Sequence, residues 1–160
     1  MKRILVFASF ISLAVLASGL LLAQSNPFIG TWKLNTAKSK YNPGPPPQSV
    51  TRTYEAQGDG VKVNTEGTAA DGSHIAYSYT ANYDSKDNPI SGTGVPSGAD
   101  TIALKRINPN TTEATLKKAG KVVLTARNVV SKDGKITTIT AKGTNANGQP
   151  TSNVTVWDKQ

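Results

Sequence analysis

His74-Ile75-Ala76-Tyr77-Ser78-Tyr79-Thr80-Ala81-Asn82-Tyr83 alternates in character along its whole length. Successive side chains of an extended chain point to opposite faces, so Ile75, Tyr77, Tyr79, Ala81 and Tyr83 share one side and His74, Ala76, Ser78, Thr80 and Asn82 the other. The first set is the more apolar and predicts a strand with a tyrosine-rich inner face. Turn chemistry repeats outward in both directions. Asp59-Gly60, Asp71-Gly72, Asp133-Gly134 and Asn147-Gly148 are pairs that supply the positive φ of a tight hairpin, and Asn108-Pro109-Asn110 and Ala119-Gly120 fill the remaining gaps. Between these turns the sequence predicts nine strands, near 28–34, 48–57, 61–69, 73–83, 100–107, 111–118, 121–131, 135–143 and 152–158, and no helix-period segment of useful length.

Val122, Leu124 and Ala126 repeat the alternation, although Val123 and Val129 put apolar residues on the opposite face as well. Strands joined hairpin to hairpin must dispose of their edges, and closure into an antiparallel up-and-down β-barrel of eight to nine strands does so. A two-sheet sandwich is the rival arrangement, but its Greek-key form needs a long connection between sheets. Two longer connections are expected here: residues 35–47, with Pro43-Gly44-Pro45-Pro46-Pro47, and residues 84–99, rich in Gly, Pro and Ser.

The N-terminus reads as an export signal. Lys2 and Arg3 precede an apolar run from Ile4 to Leu22, broken by small residues, and Ala23 is a small residue before polar Gln24. Residues 1–23 are therefore expected to be a signal peptide and 24–160 a single domain, periplasmic or secreted, with no stable membrane insertion after cleavage. The chain has no cysteine, so packing and strand hydrogen bonds must stabilise it without disulfides. With Lys2 and Arg3 gone the formal charge falls from +8 to +6, and the lysines are scattered singly or in pairs. That pattern reads as a solvated face with protection of sheet edges, and it leaves open attraction to an anionic envelope surface. The aromatics form no basic-flanked stacking stripe, so no nucleic-acid partner is expected.

Phe28-Ile29-Gly30-Thr31-Trp32-Lys33-Leu34 resembles the opening strand of the calycins, the lipocalin and fatty-acid-binding families, whose first strand carries Gly-x-Trp. The continuation through Asn35 to Tyr41, with Lys38, Ser39 and Lys40, resembles short exported bacterial proteins described as lipocalin-like. The resemblance implies a calycin-like barrel holding a small apolar molecule, with Trp32 closing the floor and an arginine from a late strand over its ring. Arg106 and Arg127 are the arginines available for that place. The lipocalin Thr-Asp-Tyr loop is absent, as is the C-terminal Arg-x-Tyr of fatty-acid-binding proteins. The final strand, Asn153-Val154-Thr155-Val156-Trp157, has no arginine, and the proline-rich segment stands where a helical lid would be.

The residues expected to line or border a binding cavity are Tyr54, Tyr77, Tyr79 and Tyr83, whose rings are apolar and whose tips are polar, together with Trp32. Arg52, Arg106 and Arg127 are candidates to fix an acidic ligand, since the guanidinium fork matches a carboxylate. Arg52 and Tyr54 share a strand face with Val50. A core filled by the same aromatics, with exposed arginines, is the competing reading.

No catalytic constellation has positive support in the sequence. His74 is the only histidine, which with no cysteine rules out a histidine-rich or thiolate metal site and requires no cofactor. Asp71 precedes it by three residues, but no activated-serine motif accompanies them. Glu55, Glu66 and Glu113 fall on different strands, and Asp84-Ser85-Lys86-Asp87-Asn88 places a lysine where a calcium loop needs an oxygen. Two functions lead, with an enzyme third: a non-catalytic exported barrel binding a small apolar or amphipathic molecule, or an envelope surface-interaction module without an internal ligand.

Overall fold

The computed structural model describes residues 26–160. The expected signal peptide, 1–23, lies outside the described residues. Ten antiparallel strands follow one another around a closed barrel: β1 (Gly30–Lys40), β2 (Ser49–Gln57), β3 (Gly60–Thr68), β4 (His74–Asn82), β5 (Asp84–Thr93), β6 (Thr101–Asn108), β7 (Thr111–Lys118), β8 (Lys121–Val130), β9 (Ile136–Thr144) and β10 (Pro150–Lys159). Each pairs with its sequence neighbours, and β1 pairs with β10 to close the ring, Leu34 opposite Trp157. The up-and-down barrel is the one the turns predict, with one strand more.

The additional strand is β5, which occupies most of the expected 84–99 loop. Most of its residues are turn formers, and only Asn88 and Ile90 are partly buried. Its hydrogen-bonding neighbours define it: Ala76–Tyr79 of β4 on one side, and Asp84 and Asp87–Pro89 opposite β6 on the other. A single 3₁₀ turn, Pro96–Gly98, completes that connection. The 35–47 connection is likewise shorter than expected. β1 runs on to Lys40 across a break in register between Asn35 and Lys40, where the Ser39 hydroxyl donates to the Asn35 carbonyl and accepts the Val156 N–H.

The His74–Tyr83 alternation holds: Tyr77, Tyr79 and Ala81 are buried while His74, Thr80 and Asn82 are exposed. On β8 a register shift opposite Leu116 and Lys117 leaves Val122 exposed and lets Val123 pack against the core, while Val129 stays on the outer face, 40% exposed. The Ala119-Gly120 hairpin has positive φ at both residues, and the Asp100 carboxylate accepts the Ala119 N–H at 2.7 Å. The first hairpin turns one residue earlier than Asp59-Gly60, at Gly58-Asp59, because Gln57 pairs with Gly60. A closed ring has no edge to protect, so the lysines are outward solvated groups and not edge guards.

One end of the barrel is plugged. Phe28, Trp32, Val61 and Val63 are its most deeply buried large side chains, and the Trp32 indole N–H donates to the Phe28 carbonyl at 2.8 Å. The cation over Trp32 is Lys159 of β10, 5.1 Å from the ring centre, and not an arginine. Arg106 lies nearby but stacks on Tyr83, at 3.9 Å, and on Phe28, at 5.9 Å. The hydroxyl-bearing ring of Tyr54 packs on Phe28 from the side, 6.5 Å between centroids. Trp32→Ala is expected to cost about 3 to 5 kcal/mol in urea unfolding, the usual range for a buried aromatic truncation. Arg127→Ala, which removes the exposed ion pair between Arg127 and Glu113, should change stability by less than about 1 kcal/mol.

Candidate functional site

Above the plug the interior is hollow. A cavity of about 230 Å³ extends to the open end of the barrel, where Tyr41 and Pro47 face it from one connection and Gly94 and Pro96 from another. Its walls are mainly apolar, with Leu34, Val50, Ile102, Leu116, Leu124 and Ile139 among the lining residues. A strand contributes every second side chain to such a wall. Arg52 on β2, Thr65 on β3 and Tyr77 on β4 stand side by side because Arg52 pairs with Thr65 and Thr65 with Tyr77.

That row carries the charge of the site. The Arg52 Nε–H donates to Thr65 Oγ1 at 3.0 Å, and one terminal nitrogen donates to the Tyr77 hydroxyl at 2.8 Å. Its guanidinium carbon lies 4.9 Å from the centre of the Trp157 ring, and the Trp157 N–H is tied to the Thr155 hydroxyl at 2.9 Å. Burial disfavours the Arg52 charge, but the phenol oxygens of Tyr77, Tyr54 and Tyr79 outweigh it and raise the pKa above its ordinary value. Among the described residues no carboxylate forms an ion pair with Arg52. The guanidinium has five N–H donors, and these two bonds occupy two of them. The cation is thus held in place with donors to spare.

The structure separates the candidate residues into three groups. Arg52, Tyr77 and Tyr79 line the cavity. Trp32, Tyr83 and Arg106 belong to the plugged end instead, where Asn26 donates to the Tyr83 hydroxyl at 3.4 Å, and so does the Tyr54 ring on Phe28, although the Tyr54 hydroxyl lies close to Arg52. Arg127 is a correction: its position on β8 points outward, exposed, and it pairs with Glu113 at 2.8 Å, so it is no part of the cavity. Trp157, Thr65, Tyr41 and Asn128 line the cavity and were not anticipated. The alternation Asn153-x-Thr155-x-Trp157 was the available signal for Trp157, since all three face inward. Among the described residues no group of three His, Asp or Glu could hold a metal ion.

No protein-family model matches the chain, and no curated protein matches it. Among solved structures, it is similar to zebrafish ileal bile acid-binding protein crystallised with cholic acid. The TM-score is 0.52 and the identity 13%, over 84% of this chain and 99% of that one. The likeness is one of fold. The all-β, up-and-down, calycin-like barrel is shared, at an identity too low to carry residues across.

Desolvation also moves the phenols. Burial pushes Tyr41 at the mouth up to about 12, against a smaller opposing pull from Arg52, and raises Tyr79 and Tyr83. A neutral phenol favoured by the folded state stabilises below the unfolded pKa near 10, and that contribution is lost as pH rises through the folded pKa. The denaturation midpoint is therefore expected to fall between pH 10 and about 12, less steeply in Tyr41→Phe. Difference titration of tyrosinate absorbance between wild type and Tyr41→Phe should show the Tyr41 step near 12; a step near 10 would contradict the buried environment.

Proposed function

We propose that the protein is an exported, non-catalytic barrel that takes up a compact amphipathic acid. Its carboxylate would sit on the free donors of Arg52, and its apolar part against Leu34, Val50, Ile102, Leu116 and Leu124. The observation that carries this reading is a cation fixed inside an apolar cavity with no carboxylate paired to it. An unpaired charge in such surroundings is costly, and a bound anion accepting two parallel N–H bonds offsets that cost. The Trp157 ring behind the guanidinium restricts its orientation, so less freedom is lost on binding.

Size narrows the class. Cavities for drug-sized ligands usually span about 300 to 1,000 Å³. The 230 Å³ here suits a smaller guest, on the order of eight water-sized groups at about 30 Å³ each. The bile acid-binding protein of similar fold supports an acid with a large apolar surface, and the cavity volume favours a shorter one. The hollow interior also favours internal uptake over action through the outer surface alone. The signal-peptide pattern of residues 1–23 supports a periplasmic or secreted setting.

Octanoate and octanol separate the charge from the chain. In isothermal titration calorimetry Arg52→Met should weaken octanoate binding roughly 10- to 100-fold, as loss of a charge-assisted hydrogen bond of about 1.5 to 3 kcal/mol predicts, while octanol binding stays. Equal losses for both probes, or for neither, would contradict the assignment.

A further inference from the structure

Opposite the arginine, the cavity wall contains an amide that the protein does not satisfy. Asn128 lies on β8 between Thr112 of β7 and Ile139 of β9, in the inward set Leu124, Ala126, Asn128 and Val130. It lines the cavity, it is only 8% exposed, and its Oδ1 is buried without a hydrogen-bond partner among the described residues. Its lining neighbours on β8 and β9, Leu124, Ala126, Ile139 and Ala141, are all apolar. An unsatisfied buried acceptor destabilises the fold, and a leucine of similar volume would avoid that cost. Thr137 Oγ1 is the other unpartnered buried oxygen, but Thr137 does not line the cavity and gives no comparable argument.

The barrel order puts β2 and β8 four strands apart by way of β1, β10 and β9, and six apart the other way. Arg52 and Asn128 therefore face the same cavity from well-separated walls, one a fixed donor cluster and the other an amide. An amide can turn over, offering either C=O or NH₂ to the cavity.

We propose that Asn128 is a specificity-determining residue that recognises a second polar group, a hydroxyl, on the ligand, so that the natural guest is a hydroxylated amphipathic acid. This rests on the reading above, in which Arg52 holds the acid group. A hydroxyl both donates and accepts, so it pairs with whichever end of the amide faces the cavity. An unsubstituted chain would place methylene groups against Asn128 and leave it unpaired, which is how a polar site rejects the analogue that lacks its partner.

Binding of octanoate and of the positional monohydroxyoctanoates to the full mature chain, wild type and Asn128→Leu, tests the assignment by calorimetry. Wild type should bind at least one hydroxylated isomer about 10-fold or more tightly than octanoate. Asn128→Leu should lose that preference and bind octanoate at least as tightly as wild type does. If octanoate binds wild type in an Arg52-dependent way but no isomer exceeds it, or if the preference survives in Asn128→Leu, the role of Asn128 is overturned while the acid site stands. If neither octanoate nor any isomer binds wild type, the acid site itself fails and this inference falls with it. The comparison within wild type decides the question even should the leucine variant fold poorly.

Discussion

Closure between β1 and β10 is the constraint from which the other features follow. Among the described residues β1 is the first strand and β10 the last, and pairing Leu34 with Trp157 and Lys33 with Asp158 closes the series of strands into a ring without a free edge. Ring diameter grows with strand number, and about eight strands already give an interior that side chains just fill. Ten strands enclose more. Trp32, Phe28, Val61 and Val63 fill one end, and the remaining interior stays open as the cavity. The same closure brings Trp157 of β10 against Arg52 of β2, across the intervening β1, and so builds the cationic wall.

The hollow interior and the buried charge are linked energetically. Arg52 would be a poor occupant of a solid apolar core, where a charge without a counter-ion is strongly disfavoured. In a cavity open at one end it is tolerable, supported by the Tyr77 hydroxyl, the Thr65 hydroxyl and the face of an indole. A few polar groups, Arg52 with Thr65 and Tyr77 on one wall and Asn128 on another among them, punctuate a mainly apolar lining, the arrangement that orients a guest instead of merely dissolving it.

The sequence carried the fold where strand pattern and turn chemistry agreed. Tyr77 and Tyr79 face inward as their period-2 placement required, and the Asp-Gly and Asn-Gly pairs lie in or beside hairpin turns. β5 was hidden because Asp84, Ser85, Asp87, Asn88, Pro89 and Gly92 are turn-forming residues, and its strand geometry comes from its neighbours. The site was half legible. Arg52 could be placed on an inward face beside Tyr54 and Val50, but the partner that fixes it, Tyr77, lies two strands away, and no local pattern shows which strands meet. Arg127 was a candidate because the calycin resemblance implies an arginine from a late strand, whereas the alternation of Leu124 and Ala126 against Thr125 and Arg127 already put it on the outer face, where it pairs with Glu113. Asn128 gave no signal at all, since its meaning depends on what surrounds it.

The central claim is that this barrel is a vessel for a small acid held by Arg52. Native mass spectrometry of the protein, purified gently from its natural source, tests that claim most directly. An additional small mass should be present, leave on denaturation and be absent from the Arg52→Met variant prepared in the same way. The bare polypeptide mass, with no uptake of short-chain acids added to it, would contradict the account.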